Sequence, residues 1–333
     1  MRNNFIYKSL RLPYTLFVIS GLILPLAGFQ DGQPPAATPE SADAVFQSAT
    51  ASLKEHKYKE AEEAFRRLSQ LEPASYRGLL GVVAVYAAQG KYDTAIQQLQ
   101  GQLSKDPART ELHMAVGEIA VSAAKYDQAI TEFLWVLNHG NKFSPMAGNL
   151  SFRIGQVYSL KGEPDFALIF LRQAKDLLPG NMAVLIALGM TLQRAGQIDA
   201  AAREYRAVLD ADPNNAIALN NLAVLLSESG GDLDTALKYA KRASELQPDS
   251  PDVGDTLGWV DLKKNMTAEA VRILLGVVKK EPGRSTFRYH LALALEQQGD
   301  HAGAIQELKT ALNSTPPQAE KQQIQDLLQK IGR

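Results

Sequence analysis

The chain has 333 residues, with 35 basic and 36 acidic side chains, a net charge of −1 and no cysteine. The balanced charge, with no basic stripe, argues against a nucleic-acid partner, and the missing thiols exclude disulfides, thiolate metal sites and cysteine nucleophiles. This length would permit two domains.

At the N-terminus, Arg2, Lys8 and Arg11 lead into an apolar stretch, residues 12–29, that ends on the small residues Ala27 and Gly28. This is the layout of a secretory signal, and the stretch is also nearly long enough to remain as a membrane anchor. In either reading the basic flank stays inside, so the rest of the chain is expected in the periplasm or on the periplasmic face of the inner membrane. Leu26-Ala27-Gly28 begins like a bacterial lipoprotein box, but Phe29 stands where the lipid-bearing cysteine is needed. Residues 30–41, with Pro34, Pro35 and Pro39 among alanines, read as an extended linker.

From there a period takes over. Ala61, Ala95, Ala129, Ala167, Ala201, Ala236, Ala270 and Ala304 follow one another at 34, 34, 38, 34, 35, 34 and 34 residues. Twelve positions after each stands a proline (Pro73, Pro107, Pro179, Pro213, Pro248, Pro282, Pro316) or, once, Asn141. A period of this length predicts stacked helical hairpins, and the array overrides the two-domain expectation because its core grows along an axis. In the fifth copy, residues 182–215, Leu185, Leu188, Gly189 and Leu192 mark a first helix and Ala201, Tyr205 and Val208 a second, with Gly196 between them. Helices this short depend on burial against neighbours, and the alanine marks where the two approach closely.

Two steps break the period. The 38-residue interval, across residues 138–145, predicts a longer loop or irregular joint, dividing copies 1–3 (42–143) from copies 4–8 (144–318). One inserted residue at Gly230-Gly231-Asp232 lengthens the turn within the sixth copy. Residues 319–333 form a last amphipathic helix, with Ile324, Leu327, Leu328 and Ile331 on one face and Glu320, Lys321, Gln325 and Lys330 elsewhere. It caps the array.

These marks resemble the tetratricopeptide-repeat family over residues 42–318. Ile154, Gly155, Tyr158, Ala167, Leu171, Ala174 and Pro179 give the fullest match, and Ala61 with Phe65, Ala129 with Phe133 and Ala201 with Tyr205 repeat its alanine-to-aromatic step. The resemblance implies an all-α, right-handed superhelical solenoid of eight helix-turn-helix repeats plus a C-terminal capping helix. It also implies that first helices line a concave groove that binds a protein or peptide. Carried onto this chain, the family's groove positions give Met114, Glu118, Phe152, Gln156, Ile186, Met190, Gln193, Arg194, Asn220, Val224, Trp259, Lys263, Tyr289 and Leu293. Relatives that clamp the C-terminal carboxylate of chaperones carry Lys and Asn where this chain has Phe152 and Gln156, then Ile186 and Met190, so that clamp is absent. Trp259 is the sharpest candidate anchor, expected to be partly exposed. Residues 255–259, followed by 288–292, are similar to repeats of exported proteins linked to exopolysaccharide assembly and exosortase sorting.

No catalytic constellation, cofactor motif or metal site is found. No two of the histidines His56, His113, His139, His290 and His301 have the i, i+4 spacing of a helical metal site. The sequence therefore predicts a non-catalytic interaction scaffold of the cell envelope, or alternatively a membrane-anchored assembly factor or chaperone for envelope or exopolysaccharide machinery.

Overall fold

The computed structural model describes residues 41–332. The signal or anchor expected over 1–29 and nearly all of the linker lie outside them, and no helix among the described residues is long and apolar enough to cross a membrane.

Every described element is a helix, and the first sixteen of the seventeen fall into consecutive pairs: α1 (Ala42–Lys54) and α2 (Tyr58–Leu71), α3 (Arg77–Ala88) and α4 (Tyr92–Leu103), α5 (Thr110–Ser122) and α6 (Tyr126–His139), α7 (Pro145–Lys161) and α8 (Pro164–Leu177), α9 (Met182–Arg194) and α10 (Ile198–Ala211), α11 (Ala216–Glu228) and α12 (Leu233–Leu246), α13 (Pro251–Lys263) and α14 (Thr267–Lys280), α15 (Ser285–Gln298) and α16 (His301–Asn313). The last, α17, runs Gln318–Ile331. Contacts group the helices into two compact units, one ending at Phe170 and one starting at Leu171, so the division falls inside α8.

All eight ladder alanines are 0% exposed. Four residues further along the second helix, Phe65, Phe133 and Tyr205 are also fully buried, and a glycine makes room for the ring. A Cβ on Gly117 would lie 2.4 Å from Phe133 Cε1, and one on Gly189 would lie 2.6 Å from Tyr205 Cε1. The close approach is therefore shared between the alanine and that glycine.

A second ladder runs through the turns inside the pairs. His56, Gly90, Ala124, Gly162, Gly196, Gly230, Asn265 and Gly299 each have φ between 55° and 91°. Every copy thus closes its first helix on a left-handed residue, the C-terminal stop that glycine adopts without steric cost. Glycine fills the site in five copies. Starts are capped as well: Ser144, Asn181, Asn215 and Ser250 each accept a main-chain N–H from three residues on, with Pro145 and Pro251 in the first helical position. The ladder prolines lie in the turns after the second helices rather than at the next helix start, as Pro213 does between Ala211 and the cap Asn215.

Two local expectations change, and the longer turn of the sixth copy holds. The 38-residue step does not make a long loop: α7 has 17 residues where α9 has 13, so the excess appears as an added helical turn. Helix geometry absorbs four residues almost in register. Ala195, Gly196 and Gln197 separate α9 from α10, whereas four residues, 229–232, separate α11 from α12, and Asp232 caps α12 through Asp234 N and Thr235 N. Glu320 is not on the solvent face of α17. It is buried one turn before Ile324 and accepts a hydrogen bond from Thr286 Oγ1 at 3.2 Å.

Within the unit from Leu171 onward, each first helix also touches the first helix of the next pair, giving the series α9, α11, α13, α15 and finally α17. That series presents one face. In the unit ending at Phe170, α1, α3 and α5 are related in the same way.

Candidate functional site

The first-helix series from α9 to α15 carries most of the groove residues read from the sequence. Ile186 and Met190 on α9, Asn220 on α11 and Tyr289 on α15 are half-buried, Gln193 is buried and Arg194 is exposed. Met114 on α5 and Phe152 and Gln156 on α7 are half-buried in the other unit. There Arg153 Nε donates to Glu118 Oε1 at 2.9 Å and a second guanidinium nitrogen meets Glu118 Oε2, so the polar groups beside Gln156 are closed against each other.

Trp259 departs from its expected exposure. It is 5% exposed, because the His290 ring of α15 stacks on one indole face at 4.5 Å and 28°. Lys263, one turn along α13, also holds its Nζ 4.5 Å from the indole centroid. His290 is held in turn by Asp255, whose two carboxylate oxygens each lie 2.9 Å from His290 Nδ1. An acceptor-only carboxylate there places the proton on Nδ1. Asp255, Trp259 and Lys263 fall at successive steps of four on α13 and so form one stripe.

Glu228, the last residue of α11, completes the cluster. Burial pushes its carboxyl up to about 7, against the weaker opposing pull of His290 and Lys263. Deeper in, Tyr205 Oη donates to Gln193 Oε1 at 3.2 Å, and burial raises its phenol. Burial likewise raises the Tyr289 phenol.

The face is not polar-saturated. Asn220 Oδ1, Asn221 Nδ2 and Trp259 Nε1 are buried side-chain atoms without a hydrogen-bond partner among the described residues, and Asp261 Oδ1 is another on α13. Such groups each cost about 1–3 kcal/mol when left unpaired. Chemically, the arrangement offers directional hydrogen bonds and two exposed cations, Arg194 and Lys263. No group of three side chains able to hold a metal occurs among the described residues.

Sequence reasoning missed Glu228 and Asp255 and gave His290 no role. One signal was available: Asp255 and His290 stand 35 residues apart, one repeat apart on consecutive first helices, where opposite partners can meet.

Comparison with known proteins places this geometry. Tetratricopeptide-repeat family models match residues 52–119, 186–251 and 256–319, together more than half of the chain. The TPR repeat-containing protein PA4667 of Pseudomonas aeruginosa is 23% identical over 201 residues, covering 51% of this chain and 34% of that protein. Cellulose synthase 1 operon protein C of Komagataeibacter xylinus is 26% identical over 283 residues, covering 81% of this chain and 19% of that protein. The chain thus spans about a third of the length of the first relative and about a fifth of the second. Among solved structures, a chain of the APC/C hetero-tetramer Cut9-Hcn1 superposes with a TM-score of 0.59 at 17% identity, covering 88% of this chain and 56% of that one. Pseudomonas aeruginosa pilF superposes with a TM-score of 0.51 at 18% identity, covering 64% and 94%. At these identities the structural likeness bears on the fold alone.

Proposed function

The chain belongs to the tetratricopeptide-repeat family, whose repeats generally mediate protein–protein interaction, and from that premise we propose that it is a non-catalytic scaffold of the bacterial cell envelope. Its first-helix face holds an extended or helical segment of a partner protein. One observation supports this reading: the consecutive first helices α9, α11, α13 and α15 touch one another in series and carry the half-buried Ile186, Met190, Asn220 and Tyr289, a continuous surface of the kind an extended segment can follow. The envelope assignment rests on the basic flank and apolar stretch at residues 1–29 and on similarity to a cellulose synthase operon protein.

Photo-crosslinking separates this face from the rest of the surface. A photoreactive residue at Asn220 is expected to give a partner adduct in intact cells, and one at exposed Arg203 on α10 is not. Equal labelling from both positions, or from neither, refutes the reading. A second reading, a membrane-anchored assembly factor, draws on the same apolar stretch. Carbonate extraction distinguishes the two, because a cleaved chain is released from membranes and an anchored one is retained.

A further inference from the structure

The outward face of α8 departs from a rule that the other second helices of the pairs keep. The position two residues after each ladder alanine is exposed in every copy. It holds Glu63, Gln97, Thr131, Arg203, Lys238, Arg272 and Gln306 in the other copies, but Ile169 in the fourth. The residue just before the alanine is likewise polar or small in all the others and is Phe166 in the fourth. Phe166 and Ile169 are 52% and 59% exposed. Large apolar side chains at positions kept polar elsewhere in the array mark a surface that something covers.

The pair is also held in place. Tyr158 of α7 stacks on Phe166 at 5.3 Å and on Phe170 at 5.6 Å, with interplanar angles of 20° and 13°. The Phe166 ring is thus supported on one side and open on the other, so covering it costs little further ordering.

Charge indicates the occupant. Asp165, Ile169 and Arg172 follow one another at steps of four and three along α8 and share one stripe, with Phe166 beside it. Asp165 and Arg172 are both exposed, and neither closes an ion pair among the described residues; Arg172 reaches Gln197 Oε1 at 3.4 Å. Lay a second α8 antiparallel on the first, with a two-fold axis between Leu168 and Ile169. The two Ile169 side chains then meet near the axis with Phe166 beside them, and Asp165 of each copy falls opposite Arg172 of the other. A parallel arrangement would set like charge against like charge. The stripe is therefore complementary to itself, as a two-fold interface requires.

We propose that the chain forms a two-fold dimer through antiparallel pairing of α8 with α8 of a second copy. The dimer uses a second helix of a pair and none of the first-helix residues assigned to partner binding, so it stands apart from that reading.

The test uses the full-length chain, which has no cysteine, so a single introduced thiol reports contact between copies. With a short bis-maleimide in intact cells, Ile169→Cys is expected to give a covalent dimer, and Arg203→Cys, at the equivalent exposed position of α10, is not. Sedimentation in mild detergent then reads the affinity. Asp165→Arg and Arg172→Asp alone are each expected to weaken the dimer by about tenfold or more, because two-fold symmetry counts every substitution twice. Combined in one chain, they are expected to restore it. Ile169→Lys, the residue type that Lys238 supplies at this position in the sixth copy, is expected to leave a monomer of unchanged helicity. A monomeric parent overturns the proposal, whether the patch then takes up phosphatidylglycerol vesicles or residues 12–29 of its own chain. Equal crosslinking at both thiol positions, or a double variant as weak as the single ones, overturns it as well.

Discussion

The two units treat the polar groups of their first helices differently. Before Phe170 these groups are closed among themselves: Arg153 pairs with Glu118, and His113 uses one ring nitrogen on Glu132 and the other on Pro107 O at 3.0 Å. Trp135 lies stacked between His113 and His139, at 3.7 and 4.1 Å. After Leu171 the same kind of helix keeps open hydrogen-bonding capacity, and the unpaired buried side-chain atoms among the described residues all fall there. Identical repeat geometry therefore supports a self-satisfied surface in one unit and an unsaturated one in the other. The difference lies in side chains, because the backbone plan of the pairs is shared.

The strongest challenge to that contrast is Trp259→Ala. If the indole is core, as its stack on His290 indicates, thermal unfolding should show a loss of about 3–5 kcal/mol. An unchanged melt would return it to the status of a free surface anchor. Next comes a matched pair of truncations. Glu118→Ala takes away the carboxylate that pairs with the half-buried Arg153 guanidinium and should cost about 1–3 kcal/mol. Asn220→Ala removes a buried acceptor that has no partner, and with it a desolvation cost, so it should leave stability unchanged or raise it by about 1 kcal/mol. Equal losses in denaturant titration would break the comparison.

Smaller still is the pH signature of Glu228. The folded chain keeps this proton up to about pH 7, whereas the model carboxyl value is 4.5. Protons bound on folding mean that stability declines as pH rises across that window and is level above it. Glu228→Gln should then gain roughly 1–2 kcal/mol at alkaline pH, after discounting for partial solvent access, and little at acidic pH. Urea midpoints that move equally at both would remove Glu228 as the source. A further effect belongs to the turn ladder in the first unit, where Ala124→Gly relieves a left-handed alanine at φ 55° and should gain about 1 kcal/mol in a thermal melt.

Much of the fold was legible because its determinants are periodic. The alanine ladder marked the pairing, and each of its members is fully buried. The turn ladder was only partly visible: glycine announces it at Gly90, Gly162, Gly196, Gly230 and Gly299, but nothing in the types His56, Ala124 and Asn265 signals a left-handed backbone. Glu320 misled for a related reason. Its charge reads as solvent-facing, yet its place one turn before Ile324 puts it on the packed face, where Thr286 receives it.

What the sequence by itself determined is the all-helical, paired architecture and which helix of each pair comes first, since these follow from spacing and steric size along the chain. Only the tertiary structure decided which polar groups meet. Asp255 with His290, the indole between His290 and Lys263, and Thr286 with Glu320 depend on contacts between helices from successive repeats. Hydrogen bonds are directional and fail within about an ångström of displacement, so helical spacing alone cannot specify them.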